Sequence, residues 1–150
     1  MLIVDYNSKS YHRFLNDMPQ VNRHNSRFLI TINGASQNEL MAITDDLTAH
    51  IETTIQHTTA VIDKLNEEGV ESLFSEARNS KTPLLFEQAD LLFDKKTAVK
   101  NSHERDHGFN LNHFFKSIAK HRGIVLLSTK NKQTLSASMS TKMDVVIRFK

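Results

Sequence analysis

Four consecutive apolar residues, Ile124-Val125-Leu126-Leu127, constrain the fold of this chain more than any other feature. A strand with one face in solvent alternates apolar and polar residues, and this run does not alternate. A continuously apolar strand is typical of a parallel sheet that helices cover on both faces. A shorter run, Leu84-Leu85-Phe86, is predicted to form another strand. These runs indicate an α/β fold.

Strand patterns alternate with helix patterns along residues 26–150. A β-rich run at residues 27–32 precedes the turn pair Asn33-Gly34, and a helical repeat follows it. We predict strands at residues 27–32, 53–62, 84–86, 124–127 and 145–149, and helices over residues 40–51, 70–77 and 111–118. The last helix is expected to end at Gly123 in the C′ position. This alternation predicts a doubly wound parallel sheet.

Residues 1–25 differ from the rest of the chain because they are mixed and polar and contain Pro19 and several Asn residues. We predict an extended N-terminal lead-in there, with one short strand at residues 2–4. Residues 26–150 are predicted to form a single domain. A chain of 150 residues with 39% hydrophobic content can bury one substantial core but is too short for two ordinary domains.

Composition excludes several classes of function. The chain has no cysteine, which excludes disulfides, thiolate metal sites and a cysteine nucleophile, and fits a reducing cytoplasm. Its formal charge of +2 comes from scattered basic residues, so nucleic acid is not expected as a partner, and a binder that uses only a local basic patch is left as an alternative. No apolar run approaches the roughly 18 residues of a spanning helix, so we expect no membrane association and a cytoplasmic location.

The segment at residues 83–105, PLLFEQADLLFDKKTAVKNSHER, resembles the Walker B strand and following loop of the AAA+ ATPases. In that family the strand ends in Asp-Glu-Ala-Asp, where the Asp holds Mg²⁺ through its water shell and the Glu polarises the attacking water. This chain has Glu87-Gln88-Ala89-Asp90 instead, and Gln88 cannot accept the proton of that water. The resemblance therefore implies the AAA+ fold without its catalytic step.

The resemblance extends from Arg27 to Phe149. Residues 123–149, GIVLLSTKNKQTLSASMSTKMDVVIRF, look like the sensor-1 strand, its loop and the final strand of the AAA+ core. It implies a P-loop-like sheet of about five strands in the order 5-1-4-3-2. Because the sequence stops at Lys150, we expect a core without the helical lid of the family.

The Walker A position falls on residues 33–40, NGASQNEL, which are compared with the pattern G-x-x-x-x-G-K-[ST]. The two glycines, the phosphate lysine and the Mg²⁺ hydroxyl become Asn33, Asn38, Glu39 and Leu40. In a register that starts at Gly34, the lysine and the hydroxyl become Leu40 and Met41. A Lys-to-Glu change swings the local charge by two units, each worth up to roughly 4 kcal/mol at about 4 Å. Both registers lose the phosphate chemistry.

The same residues have a structural interpretation. Ser36-Gln37-Asn38-Glu39 fits the capping box S-x-x-E ahead of an apolar run. Ser36 would accept from the amide of Glu39, and the Glu39 carboxylate would accept from the amide of Ser36. In a working P-loop these amides and the helix dipole receive phosphate. We favour the capping interpretation over a phosphate role.

Two further AAA+ positions are also changed. The sensor-1 asparagine, which helps to position the attacking water, corresponds to Lys130. The arginine finger corresponds to Thr141-Lys142, and a lysine lacks the planar fork that an arginine offers across a subunit boundary. The resemblance thus implies a subunit that completes neither its own ATPase site nor that of a neighbour.

The loop after Walker B matches the family best. In relatives it faces a neighbouring subunit or the central pore, which suggests an assembly surface; a solvated charged loop is the alternative. The possible interface residues are Lys95, Lys96, His103, Glu104, Arg105 and Lys142. His103 and His107 have the spacing of a metal pair on a helix, but the surrounding sequence favours a loop, and we expect no metal site.

These observations lead to three hypotheses. The first is an inactive AAA+-like domain, a pseudo-ATPase for which no cofactor is expected. It would act as an interaction or structural subunit, either with AAA+ partners or with copies of itself. The second is a sensor that binds ATP or ADP without hydrolysis, with Glu87 on a metal and Lys130 on a phosphate. The third is a nucleic-acid-binding module that uses Lys95, Lys96, Lys100, Lys130 and Lys132.

Overall fold

A computed structural model describes residues 1–58, 62, 65–93 and 109–149 of the chain, which form one sheet of six parallel strands. The strands are β1 (Leu2–Asp5), β2 (Phe28–Asn33), β3 (Gln56–His57), β4 (Leu84–Phe86), β5 (Ile124–Ser128) and β6 (Val145–Arg148). Their order across the sheet is β1-β6-β2-β5-β4-β3. The predicted α/β fold with a parallel sheet is confirmed.

Helices connect the strands. They are α1 (Lys9–His24), α2 (Gln37–Ile51), α3 (Glu67–Ser80), α4 (Leu111–Lys120) and the single-turn α5 (Ala137–Ser140), together with a 3-10 helix at Ala89–Phe93. Helices α1 and α2 pack against each other, as do α3 and α4. Within the described ranges, no helix has the length and apolar character required to cross a membrane.

The two helix pairs cover opposite faces of the sheet. Ile30 and Ile32 of β2 belong to the core beneath α1 and α2, whereas Leu29 belongs to the core beneath α3 and α4. This alternation follows from the two-residue period of a strand, whose successive side chains point to opposite faces. Strand β5 is buried along its whole length, as its unbroken apolar run predicts.

The expected sheet of about five strands in the order 5-1-4-3-2 is wrong in strand number, and the full order differs accordingly. The difference is β1, which extends the sheet beyond β6. Residues Leu2 to Asp5 pair with Val145 to Arg148 in parallel register, so the first residues of the chain complete the edge of the sheet. Without β1, the remaining strands lie in the order β6-β2-β5-β4-β3.

The extended lead-in predicted for residues 1–25 is also wrong in its secondary structure, although the short strand is present. Residues Lys9–His24 form α1, which begins at the N-cap Ser8 and contains Pro19. Its core-facing side chains are at most 4% exposed and are Tyr11, Phe14, Leu15 and Met18. These residues recur at positions i, i+3, i+4 and i+7, so burial of one helix face outweighs the polar composition.

Two predicted boundaries are corrected. Among residues 53–58 and 62, which are the described part of the range 53–62, the strand pairing lies at Gln56–His57. Helix α4 ends at Lys120 with His121 as an extended C-cap, so Gly123 is not its C′ residue and instead precedes β5. The predicted helix over residues 70–77 and the strand at residues 84–86 are confirmed as α3 and β4.

Candidate functional site

The carboxyl ends of β2 and β5 lie side by side at one edge of the sheet. The chain leaves β2 toward β3 and leaves β5 toward β6, which are on opposite sides of this strand pair. In open α/β sheets, ligands bind in the crevice at such a switch point. This crevice is therefore the candidate functional site. The predicted Walker A residues Asn33 and Gly34 and the backbone of the predicted sensor-1 residue Lys130 belong to it.

The connection from β2 to α2 is short, and α2 is capped by its own residues. Three residues, 34–36, lie between the two elements. Glu39 N donates to Ser36 Oγ at 3.2 Å, and Ser36 N donates to Glu39 Oε1 at 2.9 Å. The predicted capping box is thereby confirmed. The Ser36 and Glu39 amides are engaged within the chain itself.

The loop after β2 is bound to the loop after β5. Gly34 N donates to Thr129 Oγ1 at 2.8 Å, and Ala35 N donates to the Thr129 carbonyl at 3.0 Å. Gly34 has a φ of 79°, and a Cβ at this position would lie 3.1 Å from Lys132 Cα. Glycine is required here both for the left-handed backbone and for the close approach of the second loop.

The Asn33 side chain forms the centre of this connection. It is 7% exposed, and its Nδ2 donates to the Gln133 carbonyl at 2.9 Å. Its Oδ1 accepts from Gln133 N at 2.8 Å and from Thr129 Oγ1 at 3.2 Å. Because both the donor and the acceptor of this buried carboxamide are hydrogen-bonded to the loop after β5, Asn33 stabilises one arrangement of the two loops.

Asp90 holds the second loop from the other side. Its carboxylate accepts hydrogen bonds from Lys130 N at 2.9 Å, from Asn131 N at 3.0 Å and from Gln133 Nε2 at 3.1 Å. Backbone amides that donate to an ionised carboxylate make strong hydrogen bonds. The residues that link the two loops, which we call the crevice network, are Asn33, Gly34, Ala35, Asp90, Thr129, Asn131 and Gln133. The crevice network closes the switch point with the chain's own groups.

The other predicted Walker positions are dispersed. Asn38 is exposed in the first turn of α2, whereas Leu40 is 4% exposed and belongs to the core. Glu87 Oε2 lies 3.2 Å from His57 Nδ1, and Gln88 is an exposed residue with a φ of 55°. Among the described side chains, no group of three or more His, Asp or Glu is placed to hold a metal.

The sensor-1 and finger positions are on the surface beyond β5. The Lys130 side chain is exposed, and only its backbone amide contributes to the Asp90 contacts. The Lys142 ammonium lies 5.6 Å from the centroid of the Phe115 ring, and its carbonyl accepts from Arg27 Nη1 at 3.4 Å. Lys142 therefore contacts its own chain. The predicted interface residues Lys95, Lys96, His103, Glu104 and Arg105 lie outside the described residues.

Three residues whose side chains bond within the crevice network, Asp90, Thr129 and Gln133, were not identified as site residues from the sequence. Each follows a predicted strand, and polar residues that follow parallel strands meet at the same edge of a sheet. That rule applies to Thr129 and Gln133, which come two and six positions after the apolar run at residues 124–127. It would have grouped them with Asn33 at the end of β2.

Replacement of the N-cap serine, Ser36→Ala, is expected to lower the free energy of unfolding by about 1 kcal/mol, because the Glu39 amide loses its acceptor. Urea unfolding followed by circular dichroism measures this change. Gln37→Ala is the matched control, since Gln37 is an exposed neighbour in the same helix, and we expect a change within about 0.5 kcal/mol for it. Equal stability losses in the two variants would contradict the capping role.

Comparison with known proteins yields fold similarity alone. No family model and no curated protein matches this chain. A chain of the solved E. coli MS115-1 HORMA:CdnC:Trip13 complex is similar in structure, with a TM-score of 0.50 and 16% identity, over 96% of the present chain. The present chain spans 54% of that neighbour's length. At this level of identity, the likeness shows a shared fold and nothing about activity.

Proposed function

We propose that this protein is a catalytically inactive AAA+-like domain that acts as a protein-interaction or structural subunit. One observation carries the proposal. In the crevice at the ends of β2 and β5, the amides of Gly34, Ala35, Ser36 and Glu39 all donate to atoms of the chain itself. A P-loop needs such amides free to receive phosphate, so this crevice is poorly suited to a nucleotide.

Electrostatics supports the same conclusion. A phosphate placed at the start of α2 would meet the Glu39 carboxylate, which already interacts favourably with the positive end of the helix dipole. Two unit charges of like sign at about 4 Å repel by roughly 4 kcal/mol at an effective dielectric near 20. A phosphate would also have to displace both hydrogen bonds of the capping box. Backbone contacts alone would have to offset these costs.

The remaining substitutions agree with loss of hydrolysis. Gln88 stands where the resemblance requires a glutamate, and a neutral amide does not accept the proton of an attacking water. Glu87 contacts His57 and, as far as the described residues show, belongs to no group of three or more His, Asp or Glu that could hold a metal. The ammonium of Lys142 lies over the ring of Phe115 in the same chain, which directs it away from the role of a finger in a neighbouring site.

The AAA+ assignment is part of the proposal. Leaving β1 aside and numbering the other strands along the chain gives the order 5-1-4-3-2, which the resemblance implies. The structural neighbour belongs to an assembly of several proteins, the E. coli MS115-1 HORMA:CdnC:Trip13 complex, and this supports a role in protein assembly. On sequence grounds, the loop at residues 94–106 is one candidate contact surface, with AAA+ subunits or copies of this chain as partners.

The outer edge of β1 is a second candidate contact surface. Within the residues that the structure covers, β1 has a single strand neighbour, β6. Leu2 is 52% exposed and Ile3 is 46% exposed. An open strand edge with exposed apolar side chains is suited to pairing with an extended segment of another protein. This feature supports an interaction role that requires no nucleotide.

Calorimetric titration of the purified protein with Mg-ATP tests the proposal. We expect no saturable heat at millimolar nucleotide, because the amides of the crevice are occupied and Glu39 repels phosphate. A parallel assay of phosphate release is expected to give no turnover above the buffer rate. The Glu87→Gln variant serves as its control, since turnover that belongs to this site would be lost in it.

Two results would replace the proposal. Saturable heat at micromolar affinity, weakened in Lys130→Ala, would identify the nucleotide sensor that the sequence left open. Turnover abolished in Glu87→Gln would identify an active ATPase. Both variants alter exposed or half-exposed side chains, so we expect each to fold like the parent protein.

A further inference from the structure

A second cleft lies at the amino ends of the strands, opposite the carboxyl ends where the crevice network lies. It has a volume of 960 Å³ and is bordered by Thr53, Pro83 and Ile124, at or just before the starts of β3, β4 and β5. The last turn of α1 and one side of α3 and of α4, including the last turns of both, form the rest of its wall. Because the two sites lie at opposite ends of the parallel strands, a ligand can bind this cleft without contacting the crevice at the carboxyl ends of β2 and β5.

Six basic side chains converge on this cleft, namely Arg23, Arg78, Lys81, Lys116, Lys120 and Arg122. All six are exposed, and none has an ion-pair partner within residues 1–58, 62, 65–93 and 109–149. Among the described lining residues, Glu71 is the only acid, and its carboxylate contacts His113 at 3.3 Å. Residues that are scattered in the sequence thus form one strongly positive surface.

Helix dipoles account for part of this pattern. Arg23, Arg78 and Lys120 occupy the last turns of α1, α3 and α4, where a cation offsets the negative end of the helix. Each helix end carries roughly half a negative charge. The partial negative charges of the three helix ends and the charge of Glu71 together offset less than half of the positive charge of the six basic side chains. Lys116 and Arg122 lie outside the last helical turns, and the dipole argument does not explain them.

We propose that this cleft binds the phosphate backbone of a nucleic acid. The apolar residues of its wall, Phe74, Ala77 and Ile124, are at most 5% exposed and belong to the core, so the cleft offers no apolar anchor of the kind that dominates protein interfaces. Apart from Gly123, its exposed and half-exposed lining residues carry basic, acidic or hydrogen-bonding end groups, several of them on aliphatic stems. Nucleic-acid interfaces are more polar and far more positive than protein interfaces, and this composition matches them.

His121 completes the floor of the cleft. It is 7% exposed, and its ring centroid lies 5.1 Å from that of Phe74. Burial, with a smaller contribution from Arg78, lowers the pKa of His121, so the imidazole is neutral near neutral pH. His121 therefore adds no positive charge at that pH. The arginines and lysines are charged, so binding of a phosphate backbone is expected to depend on salt.

Fluorescence anisotropy with labelled oligonucleotides of about 16 residues tests the proposal, with single-stranded DNA, the matching duplex and RNA as separate probes. A footprint of about four phosphates on a single strand predicts a roughly fifty-fold loss of affinity between about 50 mM and about 200 mM salt. The ratio of the affinities for the three probes distinguishes DNA from RNA and single strands from duplex.

Two charge-reversal variants give a matched comparison. Lys116→Glu/Arg122→Glu changes the cleft at positions outside the last helical turns, and we expect affinity to fall about 25-fold or more at about 100 mM salt, with a salt slope about half that of the parent. Lys130→Glu/Lys132→Glu makes the same change of net charge at the opposite edge of the sheet. We expect its affinity to remain within about threefold of the parent, as for a long-range charge effect screened by salt. Thermal unfolding of both variants establishes that each is folded.

Three results would overturn the proposal. One is the absence of binding to any probe at the lowest salt concentration. Another is an equal loss of affinity in the two variants, which would show that net charge, and not the cleft, attracts the probe. The third is displacement of the oligonucleotide by a polyglutamate peptide of equal charge at equal concentration, which would identify the cleft as a site for an acidic protein segment.

Discussion

Removal of residues 1–24 is expected to leave an unfolded chain. Helix α1 packs against α2 and β1, and it supplies four large core side chains, Tyr11, Phe14, Leu15 and Met18, that are at most 4% exposed. Burial of such side chains stabilises a protein by about 1.5–3 kcal/mol each, or roughly 6–12 kcal/mol together. Whole domains are stable by about 5–15 kcal/mol, so the remaining chain lacks the free energy to fold.

Far-ultraviolet circular dichroism and urea unfolding measure this effect. A single substitution in the same helix face gives a smaller loss of stability. Phe14→Ala is expected to lower the free energy of unfolding by about 3–5 kcal/mol, through lost burial and the cavity that remains. Arg13→Ala, at the exposed neighbouring position of α1, is the matched control and should change stability by less than about 0.5 kcal/mol. A truncated chain with a cooperative transition at the parent midpoint would show that residues 1–24 are a dispensable lead-in.

The prediction for residues 1–25 failed because composition outweighed periodicity. The spacing of Tyr11, Phe14, Leu15 and Met18 is that of a helix face, but the intervening residues are polar and Pro19 interrupts the pattern. A proline within a helix normally removes a hydrogen bond and clashes with the preceding turn, so it argues against a helix. Contacts with α2 and β1, which the sequence does not display, stabilise α1 in spite of it.

Local features were predictable and distant ones were not. The capping box joins Ser36 and Glu39, three positions apart, and the sequence pattern alone predicts it. The crevice network joins Asn33 to Gln133, which are 100 positions apart. The basic cleft likewise combines Arg23 with Arg122. Such pairs come together only through strand order and register, and for this reason the charge pattern along the chain did not indicate this basic cleft.

Loss of the central carboxamide, in Asn33→Ala, is expected to lower the free energy of unfolding by about 2–4 kcal/mol. The substitution removes the acceptor of the Thr129 hydroxyl, which keeps its bond from Gly34 N, and both partners of the Gln133 backbone N–H and carbonyl. Each buried polar group left unpaired costs about 1–3 kcal/mol. Thr129 is fully buried, whereas Gln133 is partly exposed, so water can compensate in part only at Gln133. Urea unfolding measures the total effect, with Asn38→Ala as the control, because Asn38 is exposed in the first turn of α2.

Hydrogen exchange then tests whether Asn33 stabilises the two loops specifically. In the parent protein the amides of Gly34, Ala35 and Asn131 donate within the crevice network and should exchange slowly. In Asn33→Ala we expect them to exchange faster than the global loss of stability explains, while amides of β6 follow that global loss. If Asn33→Ala were as stable as Asn38→Ala, or if its loop amides were unchanged relative to β6, Asn33 would not be what closes the crevice. The proposal of an inactive nucleotide site would then lose the Asn33 contacts as support and would rest on Glu39, the capping box and the substitutions at Gln88 and Lys142.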